Sequence, residues 1–253
     1  METQFSRTER ILGRGFTQKL SNCRVAIFGI GGVGGYVMEA LVRSGIGCID
    51  IVDNDTVALS NLNRQIIAMH SSVGKNKVDA AEKRAKDINP EIIVNKHNIF
   101  YLPDLEYAFD FQSFDYIVDA IDTVSAKLDL IEKAQEYGVP IISAMGCGNR
   151  FDPTKLVVTD IYKTEMDPLA KVMRKELKKR GVKKLKVVYS TEEPLKTVDF
   201  DENSCDKASA SQEMQSVKTK ARSVPGSTAF VPSAAGLIIA SQVAFDLTDE
   251  LRK

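Results

Sequence analysis

The run Gly29-Ile30-Gly31-Gly32-Val33-Gly34 constrains this chain more than any other feature. It follows an apolar stretch over 25–28 that reads as a buried strand, and it opens a helical period over 33–44. Glycines at that spacing suit a tight strand-to-helix turn whose backbone approaches a phosphate closely. The helix end then supplies free N–H groups and a positive dipole end. Asp53 closes the next predicted strand, over 48–53, where a carboxylate can accept hydrogen bonds from a ribose diol. A glycine-rich turn without a ligand is the bland alternative. Strand, turn, helix and acid together favour a nucleotide, and at this level NAD fits as well as ATP.

Around that turn, β-rich runs alternate with helical periods. Strands are predicted over 25–28, 48–53, 92–98, 115–121 and 140–143, and helices over 33–44, 75–88 and 125–137. Such alternation builds a Rossmann-like α/β fold: a mostly parallel sheet with helices on both faces. After Gly148 the pattern changes. Strands over 156–161 and 186–191 flank a helix that starts at Asp167-Pro168 and stops at Gly181, a sequence with the right N-cap, first-turn and terminating residues. They predict a C-terminal antiparallel extension. Residues 199–224 are polar and Ser/Lys-rich and predict a mobile loop, and a last helix is predicted over 234–251. No repeat or linker divides the 253 residues, so a single domain is expected. Its nucleotide core covers 1–148, and a substrate-binding elaboration covers 149–253.

Residues 60–65 and Lys77 bear on the choice of nucleotide. A dinucleotide pyrophosphate carries about two charges and can rest on a helix end, whereas a triphosphate carries roughly four and calls for Arg and Lys. Asn61, Arg64 and Gln65 follow the second strand, and Lys77 lies at the start of the next helix. Asp119-Ala120-Ile121-Asp122 closes the fourth strand, at the edge where open α/β sheets bind ligands, and Asp122 there can hold a Mg²⁺. Each has a plainer alternative: a surface ion pair for Arg64, a solvated lysine at 77, a helix N-cap at Asp122.

As a set, Gly29, Gly31, Gly32, Gly34, Asp53, Asn61, Arg64, Gln65, Lys77, Asp119 and Asp122 resemble the ubiquitin-activating superfamily of adenylating enzymes, over roughly residues 5–148. That resemblance implies that ATP and Mg²⁺ are bound. Asp53 would hold the ribose, Arg64 and Lys77 the phosphates, and Asp122 the metal and the reacting groups. Gln4-Phe5-Ser6-Arg7 matches a basic element that reaches into a neighbouring subunit's site, so Arg7 and a homodimer are implied too. Looser matches at residues 5–9, 63–66, 152–154, 167–170 and 190–192 resemble one branch, the tRNA threonylcarbamoyladenosine dehydratases. The implied substrate is tRNA, whose threonylcarbamoyl carboxylate is adenylated and then captured by a nitrogen of the same side chain, with loss of water. The alternative is activation of a ubiquitin-like sulfur-carrier tail, and a protein of a cysteine-desulfurase system is a partner compatible with the superfamily.

Cysteines and charge fit the RNA branch. Cys23, Cys48, Cys147 and Cys205 form no Cys-x-x-Cys pair, which argues against a zinc site and for a reducing cytoplasm. The first three read as small buried hydrophobes, leaving Cys205 as the one candidate transfer thiol. No apolar run approaches the roughly 20 residues of a membrane helix, and residues 1–20 are too polar for a signal peptide. Acids and bases balance at 34 each, yet residues 171–186 hold nine bases and one acid. With Leu169, Val172, Met173 and Leu177 packed inward, Arg174, Lys175, Lys178, Lys179 and Arg180 would face a polyanion. A solvated helix face is the alternative.

Overall fold

The structure is a computed structural model that describes residues 2–198 and 225–252. The pleat of the first strand, β1 (Arg24–Phe28), organises it. Val25 and Ile27 enter one core while Ala26 and Phe28 enter the other, as a strand covered on both faces must. The remaining strands are β2 (Cys48–Val52), β3 (Ile93–His97), β4 (Tyr116–Asp119), β5 (Ile141–Ala144), β6 (Leu156–Asp160) and β7 (Lys186–Ser190). They form one sheet in the order β3-β2-β1-β4-β5-β7-β6. Every adjacent pair is parallel except β6 with β7. This is the expected α/β class with its antiparallel extension.

Helices cover both faces. On one lie α2 (Arg14–Leu20), α3 (Gly34–Ser44), α4 (Lys77–Ile88) and α7 (Val231–Leu247), which bring Phe16, Leu20, Val37, Leu41, Val78 and Ile239 against Val25 and Ile27. On the other, α5 (Val124–Glu136) packs Ala126 and Leu130 onto Ala26 and Phe28. It also packs Leu128 and Ile131 toward Met173 and Leu177 of α6 (Pro168–Lys179). Asp167 caps α6 as expected, accepting hydrogen bonds from the N–H groups of Leu169 and Ala170.

Several boundaries move. The N-terminal segment forms α1 (Ser6–Leu12) and then α2, separated at Gly13 with φ 79°. Neither helix was expected, because seven residues hold too few turns to display a period. Helix α7 starts at Val231 rather than 234, since Pro232 fits the first turn. Val172 of α6 is 46% exposed instead of packed, so the buried stripe is Ala170, Met173 and Leu177. The stretch 199–224 and Cys205 lie outside the described residues. No helix among the described residues is long and apolar enough to cross a membrane.

Asp50, fully buried in β2, ties three strands together. Its carboxylate accepts from Arg24 Nε at 2.7 Å and Nη2 at 2.9 Å, lies 2.9 Å from His97 Nε2, and accepts from Asn95 Nδ2 at 3.2 Å. Burial alone would push its pKa up, but the bonds from Arg24, His97 and Asn95 outweigh that and hold it at about 2, below the ordinary 3.8. A depressed carboxylate stabilises the fold above the unfolded value and loses that contribution as pH falls through the folded one. Asp50→Asn should therefore cost about 2 kcal/mol at pH 7, and roughly half that deficit should remain at pH 3. Urea denaturation at the two pH values checks this; a deficit independent of pH would contradict it.

Candidate functional site

From β1 the chain winds to β2 on one side of the sheet, and β4 pairs with β1 on the other. The direction of winding reverses between them, and a crevice opens beyond their carboxyl ends. A cavity of about 470 Å³ occupies it, and its lining includes Gly29, Gly31, Gly32, Asp53, Asn61, Arg64, Lys77 and Asp122. Gln65, Cys147, Gly148 and the segment 225–227 complete one side. Residues far apart in sequence meet here because each follows a strand of the same parallel sheet.

The glycines divide into two kinds. Gly29 sits at φ 91°, and a Cβ there would lie 2.6 Å from Ala120 O; a Cβ on Gly34 would lie 1.8 Å from Gly29 O. These two are required by the turn itself. Gly34 accordingly packs behind the cleft and does not line it. Gly31 differs, since its nearest neighbour would be Gln65 Nε2 at 4.0 Å. Nothing in the protein demands glycine there, whereas a phosphate lying on the backbone would. Helix α3 begins beside it without any side-chain cap; its Gly35 and Tyr36 N–H groups donate back to Gly31 O at 3.1 Å and Val33 O at 3.0 Å, so a phosphate would meet the turn itself and the positive end of the helix dipole.

The polar side chains do not all stand as expected. Arg64 donates to Ser60 O at 3.0 Å and Asn63 Oδ1 at 2.9 Å, and burial lowers its pKa. It has no carboxylate partner among the described residues, so the surface ion-pair alternative fails. Lys77 is 5% exposed and holds Asp55 at 2.6 Å and Asp53 at 3.5 Å, so its ammonium is already neutralised. Asp53 accepts from the Ile30 N–H at 2.8 Å, which fixes the glycine turn, and from the Asp55 N–H at 2.9 Å. Asn61 accepts from the Ala58 N–H at 3.1 Å and shapes the loop that carries Arg64. Asp122 is exposed, and it is not the helix cap, because α5 starts at Val124 behind Thr123. Arg7 is exposed on α1 and does not line this cleft. Its helix is anchored at the far end of α3 and α4, where Phe5 meets Gly45 and Gln4 Nε2 donates to Asn89 Oδ1 at 3.1 Å.

Lys127 and Arg150 escaped sequence reasoning, and Gln65 was read there only as part of a motif. Lys127 is fully buried and donates to Ala144 O at 2.8 Å and Ile121 O at 3.0 Å while pairing with Asp119 at 2.9 Å. Ser143 also donates to Asp119, which is therefore committed to the sheet and withdrawn from any metal. A signal for Lys127 existed: with Val124 and Ile131 it occupies the i, i+3, i+7 stripe that faces the core. Arg150 is 2% exposed, with Nε and Nη1 unpaired and only Nη2 donating, to Met166 O at 3.4 Å. Gln65, 6% exposed, has an unpaired Oε1 in the cleft. No periodic signal marks these two.

The described cysteines are not activated. Burial pushes Cys147 up to about 12, with Asp167 adding to the effect, and burial also raises Cys23 and Cys48. Cys48 is half-buried rather than fully packed. No group of three or more His, Cys, Asp or Glu among the described residues is arranged to hold a metal ion. In the basic helix, Arg174 bonds Thr164 O at 2.7 Å, while Lys179 and Arg180 share Glu176 at 2.8 and 3.1 Å. Lys175 and Lys178 are exposed, and neither belongs to an ion pair among the described residues.

A glycine turn under an uncapped helix, a desolvated arginine and an exposed aspartate at a sheet crevice define a nucleotide-binding α/β protein. The chain belongs to the ThiF family, whose sequence profile matches residues 5–244. It is similar to a tRNA threonylcarbamoyladenosine dehydratase of Bacillus subtilis, 41% identical over 256 residues that cover 98% of this chain and 96% of that one. The enzyme of that name from Escherichia coli is 38% identical over 69% of this chain and 65% of its own. A crystal structure of the E. coli tRNA N6-threonylcarbamoyladenosine dehydratase in complex with ATP matches with a TM-score of 0.83 at 29% identity, covering 98% of this chain and 95% of that one.

The two kinds of glycine should separate on substitution. Gly34→Ala has no room and should cost more than about 3 kcal/mol, read as a collapse of the melting temperature. Gly31→Ala should melt like the wild type yet bind ATP at least about tenfold more weakly in calorimetry. Undiminished ATP affinity would remove the phosphate from that turn.

Proposed function

We propose that this chain is an ATP-dependent enzyme that dehydrates and cyclises threonylcarbamoyladenosine in tRNA through an acyl-adenylate. Similarity to dehydratases over nearly the whole chain supports the substrate, and Arg64 carries the chemistry. A half-buried guanidinium with no carboxylate partner among the described residues, beside the glycine turn and the positive end of α3, is a site suited to an anion. The triphosphate rests on Gly31 and the first turn of α3, with Arg64 against it. Asp53 lies where the ribose hydroxyls fall, and Lys77 offsets the paired acids Asp53 and Asp55.

The substrate carboxylate attacks the α-phosphorus, one P–O bond forms as another breaks, and pyrophosphate leaves. The urea nitrogen of the same side chain then attacks the activated carbonyl and loses its proton, and AMP departs with the former carboxylate oxygen. The ring closes with net loss of water. No enzyme thiol is needed, because a tethered nucleophile has an effective molarity reaching about 10⁵ M. The raised pKa values of Cys23, Cys48 and Cys147 accord with this. Asp122, exposed at the crevice, is the carboxylate that would hold a Mg²⁺, and such an ion would supply positive charge against the phosphates.

Arg7 stands away from its own cleft, which favours a homodimer in which it completes the partner subunit's site. Lys175 and Lys178 are the α6 cations best placed for tRNA phosphates, with Arg174, Lys179 and Arg180 in a supporting electrostatic role. A tRNA substrate accords with a cytoplasmic enzyme.

Asp122→Ala should leave ATP affinity within about threefold while slowing tRNA-dependent pyrophosphate release by more than about 100-fold. Release near the wild-type rate would refute its role. Mixing Arg7→Ala with Arg64→Ala chains should restore one working site per mixed dimer. Mixed dimers that form and stay inactive would place Arg7 outside the reaction.

A further inference from the structure

Gly148 and Pro232 line the cleft, and each lies within three residues of a phenylalanine that its surroundings leave bare. Phe151 is 57% exposed and Phe230 is 54% exposed, and their rings meet edge to face at 84° with centroids 5.6 Å apart. Neither is a loose appendage. The Phe151 and Asp152 N–H groups both donate to Glu192 Oε2 at 3.0 Å. Asn149 is held in the left-handed region at φ 56°, where its Oδ1 accepts from Gly226 N–H at 2.7 Å. Phe230 begins α7, whose next turn packs Pro232 beside Gly32 and Arg64. Two rings are thus fixed, open to solvent and continuous with the wall of the nucleotide cleft.

Arg150 precedes Phe151 in the chain. It is 2% exposed; its Nη2 donates to Met166 O at 3.4 Å, while its Nε and Nη1 have no partner among the described residues. It lies close enough to Cys147, on the cleft wall, for its charge to lower that thiol's pKa. An aromatic surface thus adjoins a buried cation whose charge reaches the cleft wall. Splayed bases of single-stranded RNA are held by stacking on aromatic rings and by arginine, whereas a glycine-ended protein tail has no ring to stack.

We propose that Phe151 and Phe230 form a stacking platform for the adenine that bears the reactive carboxylate, with the buried charge of Arg150 attracting that carboxylate toward the cleft. This subsite rests on the tRNA reading above and names where its target base sits. Adenine lies against the exposed ring faces, its N6 substituent turns into the cleft toward Arg64 and Asp122, and the RNA backbone stays outside.

The test compares kinetics with two substrates, tRNA carrying threonylcarbamoyladenosine and the free modified nucleoside. The Phe151→Leu/Phe230→Leu variant keeps apolar bulk but loses the rings, and should raise KM about tenfold for both substrates. Its KM for ATP and its melting temperature should stay at wild-type values. Phe151→Trp/Phe230→Trp should restore KM. Arg150→Gln should also raise KM for both substrates with ATP affinity retained. Unchanged KM in the leucine variant of an active enzyme would overturn the platform alone, and unchanged KM in Arg150→Gln would overturn its anionic half. A wild-type enzyme inert toward the modified RNA but active on a protein tail would overturn the function together with its subsite.

Discussion

Lys127 holds the two walls of the cleft in one frame. Its ammonium satisfies the carbonyl oxygens of Ile121, beyond β4, and Ala144, at the end of β5, while neutralising Asp119 between them. The loop that follows β4 carries Asp122, and the one that follows β5 carries Cys147, Gly148 and then Arg150 and Phe151. Removing this cation would leave Asp119 charged without a counter-ion in a dry interior, a far greater loss than the pair's net worth. Position as well as stability would suffer, because both walls hang on the same three bonds.

Across the cleft the arrangement is opposite in kind. Arg64 is half-buried with no acid to meet it among the described residues, Gln65 leaves an amide oxygen open, and α3 begins without a side-chain cap. Lys77, by contrast, is already paired with Asp55 and Asp53. The free positive potential therefore concentrates at Arg64 and the helix end rather than spreading over all the basic side chains. That is where, on the proposed reading, the triphosphate rests, in the crevice that Arg64 and the exposed Asp122 both line. Electrostatic preorganisation of this kind needs no movement at the moment of reaction.

The sequence made the sheet legible because buried strands and amphipathic helices leave periods that survive without tertiary context, as in β1, α3, α4 and α5. The glycine turn, Asp53 and Asp122 were legible because each closely follows a strand, and parallel sheets collect such positions at one edge; Arg64 was legible only through its motif, since it lies on the longer loop after β2. Helices α1 and α2 were not, being too short to show a period. Lys77 was read as a free cation because pairing to Asp55 across 22 residues depends on the Thr56–Asn76 bridge. The basic stretch 171–186 looked uniform, although Glu176, its single acid, engages both Lys179 and Arg180. The Phe151–Phe230 pair depends on a contact between segments about 80 residues apart, and the burial of Arg150 on tertiary packing, neither of which a local pattern records.

The central claim is that ATP activates a carboxylate on RNA and that the same side chain then captures it. Incubating the protein with ATP, Mg²⁺ and tRNA bearing threonylcarbamoyladenosine, then digesting the RNA and weighing its nucleosides, tests this most directly. The account predicts conversion of that nucleoside to a product lighter by one water, with one AMP and one pyrophosphate released for each. Retention of the original nucleoside mass while AMP accumulates only with a glycine-ended protein tail would contradict it.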